Sequence, residues 1–153
     1  MGGKYPGRGI YLLYRIQKPI GMDQVKNIYI IDDDKLFVFL TKKSIEETKL
    51  PTSIHEFGDG QVAIEYLKQN ADNNELLPDI IFLDLSMPVM DGWEFLKEYI
   101  LLEPKIKKKN KLYIFSSSIS PHDIERAHNI GAVTDFIIKP LSKEKFVEMI
   151  DAQ

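Results

Sequence analysis

Two hydrophobic rhythms run along this chain. Residues 28–31, 80–83, 112–115 and 136–138 are short unbroken apolar runs, long enough for a strand and too short for a buried helix. Between them, apolar residues recur three or four positions apart: Leu36, Phe37, Leu40 and Ile45, then Ala63, Ile64 and Leu67. That spacing lines one face of a helix. From Asn27 onward the order is strand, helix, strand, helix, the pattern of an α/β domain.

The pattern predicts strands over residues 28–32, 53–57, 79–84, 112–116 and 133–138. Helices are predicted over 35–49, 61–70 and 93–102, from Ser120-Pro121 to near Gly131, and from Ser142 to the end. Ser120 suits an N-cap and Pro121 the first helical position, while Gly131 suits a C-terminal cap. The lysine-rich stretch 105–111 reads as a solvated loop. Strands three, four and five are continuously apolar, as expected of strands buried on both faces. Right-handed crossovers then favour a five-stranded parallel sheet of flavodoxin-like order 2-1-3-4-5, with helices on both faces.

In such a sheet ligands sit beyond the carboxyl ends of the strands, and four of these runs end in groups suited to phosphate chemistry. The first runs into Asp32-Asp33-Asp34, the third into Asp84, the fourth into Ser116 and the fifth into Lys139-Pro140. Order 2-1-3-4-5 puts strands one and three side by side, bringing Asp32, Asp33 and Asp84 together. Clustered carboxylates repel and resist desolvation, so the trio points to a cation. Hard oxygen ligands with retained waters describe Mg2+. Asp33 and Asp84 suit direct ligation, Asp32 a metal-bound water, and Asp34 a helix N-cap. Asp84 is the candidate nucleophile, forming an acyl phosphate, with Ser116 and Lys139 as partners for phosphoryl oxygens.

Composition narrows the field. The chain has 153 residues, no cysteine and a formal net charge of −3. Disulfides, thiol catalysis and zinc-thiolate sites are excluded, and direct DNA binding is not expected. No apolar stretch approaches the roughly 18–20 residues of a membrane span. The expected location is the cytoplasm. Residues 1–26 read as a flexible N-terminal extension or leader, and residues 27–153 as the folded domain, with no room after the last helix for an output domain.

The ordered motifs Ile30-Ile31-Asp32-Asp33-Asp34, Phe82 to Gly92 (Phe-Leu-Asp-Leu-Ser-Met-Pro-Val-Met-Asp-Gly), Phe115-Ser116-Ser117-Ser118 and Ile138-Lys139-Pro140-Leu141 resemble a response regulator receiver domain of two-component signalling. The resemblance covers nearly everything from Asn27 to Gln153. It implies a stand-alone, chemotaxis-regulator-like receiver with Asp84 as phosphoacceptor. It implies a metal site of Asp32, Asp33, Asp84 and the backbone carbonyl of Ser86. Ser116 and Lys139 would contact the phosphoryl group, and Lys139-Pro140 would be a cis peptide. Phosphate would come from a partner histidine kinase or histidine phosphotransfer protein. Ser116 and Phe136 would act as switch residues, changing the face of helix four, strand five and helix five toward a downstream protein target. The chain would promote Mg2+-dependent self-phosphorylation and autodephosphorylation without turning over an external substrate. Two positions that tune water access in the family are serines here, Ser86 and Ser118.

Two other readings share parts of the pattern. A haloacid-dehalogenase-type phosphatase would use Asp32 as nucleophile within Asp32-Asp33-Asp34, but leaves Asp84 and Asp91-Gly92 unexplained. A pseudo-receiver would bind partners without phosphorylation, yet every position that chemistry needs is filled. Trp93 reads as a packing residue rather than a ligand platform, and the histidines His55, His122 and His128 show no metal-binding spacing.

Overall fold

The apolar runs become the strands of one parallel sheet in a computed structural model that describes residues 24–151. Positions 1–23 of the expected extension lie outside the described residues. The elements are β1 (Lys26–Ile31), α1 (Lys35–Glu46), β2 (Thr52–Phe57), α2 (Gly60–Gln69), β3 (Ile80–Leu83), α3 (Gly92–Leu102), β4 (Lys111–Ser116), α4 (Pro121–His128), β5 (Asp135–Ile138) and α5 (Lys143–Asp151). A 3-10 turn, Glu103–Lys105, follows α3. Strand order is β2-β1-β3-β4-β5, the flavodoxin-like order expected.

Alternation along the strands builds two cores. Tyr29, Ile31, Ile81, Leu83, Leu112 and Ile114 pack against α2, α3 and Ala127 of α4. Ile28, Ile30, Ile80, Phe82, Tyr113 and Phe115 face the other way, against Val38 and Ile45 of α1 and Phe146, Met149 and Ile150 of α5. Because β1, β3 and β4 are buried on both faces, period two is invisible along residues 28–31, 80–83 and 112–115, which are all apolar.

Three expectations needed correction. In α1 the buried stripe is Val38, Thr41 and Ile45, while Leu36 and Leu40 are exposed. Residues 36–40 are continuously apolar, so spacing alone could not decide which side faces inward. This helix also ends early, at Glu46, and Lys49 takes a left-handed φ of 63° before Pro51. Second, β5 starts at Asp135 rather than residue 133 and, at the edge position the predicted order gives it, leaves Asp135 and Ile138 exposed instead of buried. Third, α4 ends at His128, and Gly131 does not provide the cap; Asn129 closes the helix with its N–H on the carbonyls of the last turn.

The lysine-rich loop is also less solvated than its charge suggests. Lys108 is half-buried and donates to the Asp79 carboxylate (3.1 Å) and to the carbonyls of Leu77 and Asn74. Asn27 works from the other side: its amide donates to the carbonyls of Glu75 and Leu77, and its backbone N–H to Asp79. Together they pin the α2–β3 loop to the amino-terminal edge of the sheet. Asn27→Ala leaves the Glu75 carbonyl without its donor and the Leu77 carbonyl with Lys108 alone, for an expected loss of roughly 1–2 kcal/mol in urea unfolding. The carboxyl edge of the sheet, on the opposite side, should be unaffected.

Candidate functional site

The carboxyl ends of β1, β3, β4 and β5 lie in step. Ile31 pairs with Leu83, Leu83 with Ile114, and Ser116 with Ile138. Asp32, Asp84 and Lys139 directly follow β1, β3 and β5, and Ser116 is the last residue of β4. Asp32 is fixed by its N–H on the Phe57 carbonyl (2.9 Å), and Asp84 by its N–H on the Ile31 carbonyl (2.9 Å). Lys139 donates its N–H to the Ser116 carbonyl (2.9 Å) and precedes Pro140 through a cis peptide, as the resemblance implied.

Lys139 reaches across the sheet edge. Its ammonium donates to Asp32 Oδ2 at 2.7 Å and to Asp84 Oδ1 at 3.3 Å, and sits 4.0 Å from the centroid of the Phe37 ring. The lysine side chain is 12% exposed, Asp32 4% and Asp84 10%. Low local dielectric makes these contacts strong, and would make any of the three costly alone. Burial, reinforced by the Asp32 charge, pushes the Asp84 carboxyl up to about 6, although Lys139 pulls it down.

Asp33 is exposed and completes the acidic cluster: one oxygen from each of Asp32, Asp33 and Asp84 lies within 4.8 Å of the others. Three carboxylates against a single ammonium leave an excess of negative charge, open to solvent at Asp33. Hard oxygens in that arrangement fit a small divalent cation such as Mg2+. Ser86 lies on the wall of the same cleft, about 760 Å³ in volume, which is also lined by Ser116, Ser118, Trp93, Asp123 and Lys139.

Local sequence explains how each group is aimed. Asp34 caps α1, its carboxylate accepting from the Phe37 N–H at 3.1 Å. That occupies the second acid of the Asp32-Asp33-Asp34 pattern a haloacid-dehalogenase-type site would need. Asp91 and Glu94 form a reciprocal capping box at the start of α3. Gly92 is required by close approach: a Cβ there would lie 2.5 Å from the Asp84 carbonyl and 2.8 Å from Leu85 Cα. The Gly92 N–H instead donates to the Leu85 carbonyl at 3.0 Å, closing the β3–α3 loop against the site.

Some of the surroundings were not anticipated. Trp93 packs as expected, but it also lines the cleft, with the Arg126 guanidinium 4.1 Å from its ring centroid. Asp123, in the first turn of α4, faces the cleft and accepts from Ser118 Oγ at 2.9 Å. Its only sequence signal is its place three residues after the Ser120 cap. Phe136 is half-buried against the α2–α3 core. His55 lies between Tyr29 and Tyr66, where burial lowers its pKa.

Comparison with known proteins places this geometry. The sequence model of the response regulator receiver domain matches residues 28–151. The chemotaxis protein CheY of Thermotoga maritima is 29% identical over 126 residues, covering 82% of this chain and 95% of that protein. The two-component response regulator ORR1 of rice (Oryza sativa subsp. japonica) is 29% identical over 122 residues, 78% of this chain. Only 52% of ORR1 itself is spanned. Among solved structures, the phosphorylated cyanobacterial phytochrome response regulator RcpA superposes with a TM-score of 0.67 at 28% identity, covering 84% of this chain and 91% of that one. Among the described residues, no helix is long and apolar enough to cross a membrane. With the sheet order, the strand-end acids and the buried lysine already in place, the match over residues 28–151 means that this chain belongs to the response regulator receiver domain family.

Proposed function

We propose that this receiver accepts a phosphoryl group on Asp84 from a phosphohistidine of a histidine kinase or histidine phosphotransfer protein, and signals by protein contact. One observation carries the reading: Asp84 is buried beside Asp32, with the Lys139 ammonium bridging both carboxylates. An Asp84 oxygen attacks phosphorus, the P–N bond breaks, and the imidazole nitrogen takes a proton as it leaves. Asp32, Asp33, Asp84 and the Ser86 carbonyl would hold Mg2+, which when bound neutralises charge on the transferring group. Lys139 shifts from the carboxylates to a phosphoryl oxygen. The Ser116 hydroxyl accepts from the Ser118 N–H at 3.1 Å, so its own proton is free for another phosphoryl oxygen. The similar response regulator RcpA has been solved in a phosphorylated form, which agrees with this chemistry.

The exposed apolar residues Leu36, Phe39 and Leu40 on α1, next to the cleft, suit the donor protein as a docking surface. Output runs through α4, β5 and α5. A phosphoryl group adds roughly −1.5 to −2 charge units. Drawing Ser116 toward it opens space that Phe136 rotates to fill, a shift between pre-existing forms.

Intact mass after incubation with acetyl phosphate tests the reading. A single phosphoryl adduct that requires Mg2+ is expected. No adduct, together with no binding of beryllofluoride, would instead favour a receiver that has lost phosphorylation and acts only as a binding module.

A further inference from the structure

The β4–α4 turn holds a hydrogen-bond relay that the proposed phosphoryl transfer leaves unused. Asp123 Oδ2 accepts from Ser118 Oγ at 2.9 Å, and Ser118 Oγ accepts from the Ser120 N–H at 3.2 Å. The Ser118 N–H donates to Ser116 Oγ at 3.1 Å. Asp123 is itself anchored to α4, its N–H on Ser120 Oγ at 3.4 Å, and His122 Nδ1 lies 3.9 Å from its other oxygen.

A serine engaged through both its proton and a lone pair is confined to one rotamer. Ser118 is held so, and its backbone N–H is thereby aimed at Ser116. The carboxylate acceptor makes the Ser118 bond charge-assisted, stronger than a neutral pair. For Ser116 to move onto a phosphoryl oxygen, the Ser118 N–H must lose its acceptor or the whole turn must follow. The firmness of Asp123's hold on Ser118 therefore opposes that movement.

We propose that Asp123 is a positioning residue: acting through Ser118, it holds Ser116 in the resting arrangement and so sets how tightly the site takes a phosphoryl group. The inference rests on the receiver reading above. A ligand that favours the moved form binds more weakly by the population cost of releasing the resting one. Weakening the latch tightens binding.

Beryllofluoride, titrated in saturating Mg2+ and followed by the fluorescence of Trp93, the single tryptophan and a cleft residue, reads this directly. Half-saturation should fall about fivefold in Ser118→Ala and in Asp123→Ala. The double variant should also stay near fivefold, because the two side chains act as one unit. Asp123→Asn discriminates the latch from simple charge. It removes the negative field yet keeps an acceptor for Ser118, so its half-saturation should stay within about twofold of wild type.

Equal shifts in Asp123→Asn and Asp123→Ala would reduce the effect to charge and overturn the proposal. So would an unchanged Ser118→Ala, or single-variant shifts that multiply in the double. If wild type itself fails to bind beryllofluoride in an Asp84-dependent way, the phosphoacceptor reading falls and takes this inference with it. Binding intact in wild type with unmoved variants removes the latch alone.

Discussion

In the Asp84→Asn protein no phosphoryl adduct forms, and the metal-free protein is more stable than wild type above pH 6. Both effects come from one carboxylate. Asparagine keeps the shape of the side chain but has no anionic oxygen to attack phosphorus, so adduct on intact mass should vanish. The stability effect follows from where Asp84 sits. Burial and the Asp32 charge raise its pKa from 3.8 to about 6 in the folded protein. A raised carboxyl binds its proton more tightly in the folded state. Its contribution to stability is therefore full below pH 3.8 and lost as pH rises through 6. At about 1.4 kcal/mol per unit, ionised Asp84 costs the fold roughly 2–3 kcal/mol at pH 8. Asparagine removes that cost. Urea unfolding without metal should find the variant ahead at pH 8 and near wild type at pH 4. Magnesium should stabilise wild type and do much less for the variant. An adduct in Asp84→Asn, or a stability difference that ignores pH, would contradict this account of the site.

The candidate site was legible because Asp32, Asp84, Ser116 and Lys139 each directly follow an apolar run. Strand order then leaves little freedom: once β1 and β3 are neighbours, Asp32 and Asp84 must meet, and Lys139 follows the strand beside Ser116. Sequence spacing failed where it was degenerate. Residues 36–40 offer apolar side chains on every side of α1, so the face that packs, Val38, Thr41 and Ile45, is chosen by the fit against Phe146 and Met149 rather than by pattern. The predicted order already put β5 at the edge of the sheet; its exposed ends, Asp135 and Ile138, were missed because an apolar run leaves no local trace of how fully it is covered. Lys108 looked like one of several solvated lysines, and its burial depends on Asp79, distant in sequence. Asp123 escaped notice for a similar reason. An acid in the first turn of a helix is common, and its role in the cleft depends on the serine turn folding back onto it.

Lys139→Met should cost the metal-free protein roughly 3–5 kcal/mol at pH 8 and less, roughly 2–3 kcal/mol, at pH 5, where Asp32 alone is left without its cation. Methionine fills much of the lysine volume, and its sulfur can keep a contact with the Phe37 ring near which the ammonium now lies. The loss is then mainly the charge. Without it Asp32 and Asp84 face each other across a buried site with no counter-ion. Asp84 can relieve that strain by protonation. Since Lys139 lowers the Asp84 pKa, the variant raises it further above about 6, so at pH 5 the folded protein carries one buried charge fewer. Magnesium, supplying positive charge to the same oxygens, should recover much of the deficit at pH 8. Phosphorylation should not recover with it. The transferring phosphoryl group loses its fixed cationic partner, and the removal of one such group costs about 10²–10³ in rate. Urea unfolding at both pH values, with and without Mg2+, separates the charge from the packing. Equal losses at pH 5 and pH 8 would assign the role of Lys139 to packing, and adduct formation at the wild-type rate would remove it from the chemistry. The expected combination, a pH-dependent and metal-rescued fold beside an unrescued reaction, requires the ammonium to serve the resting carboxylates and the phosphoryl group in turn.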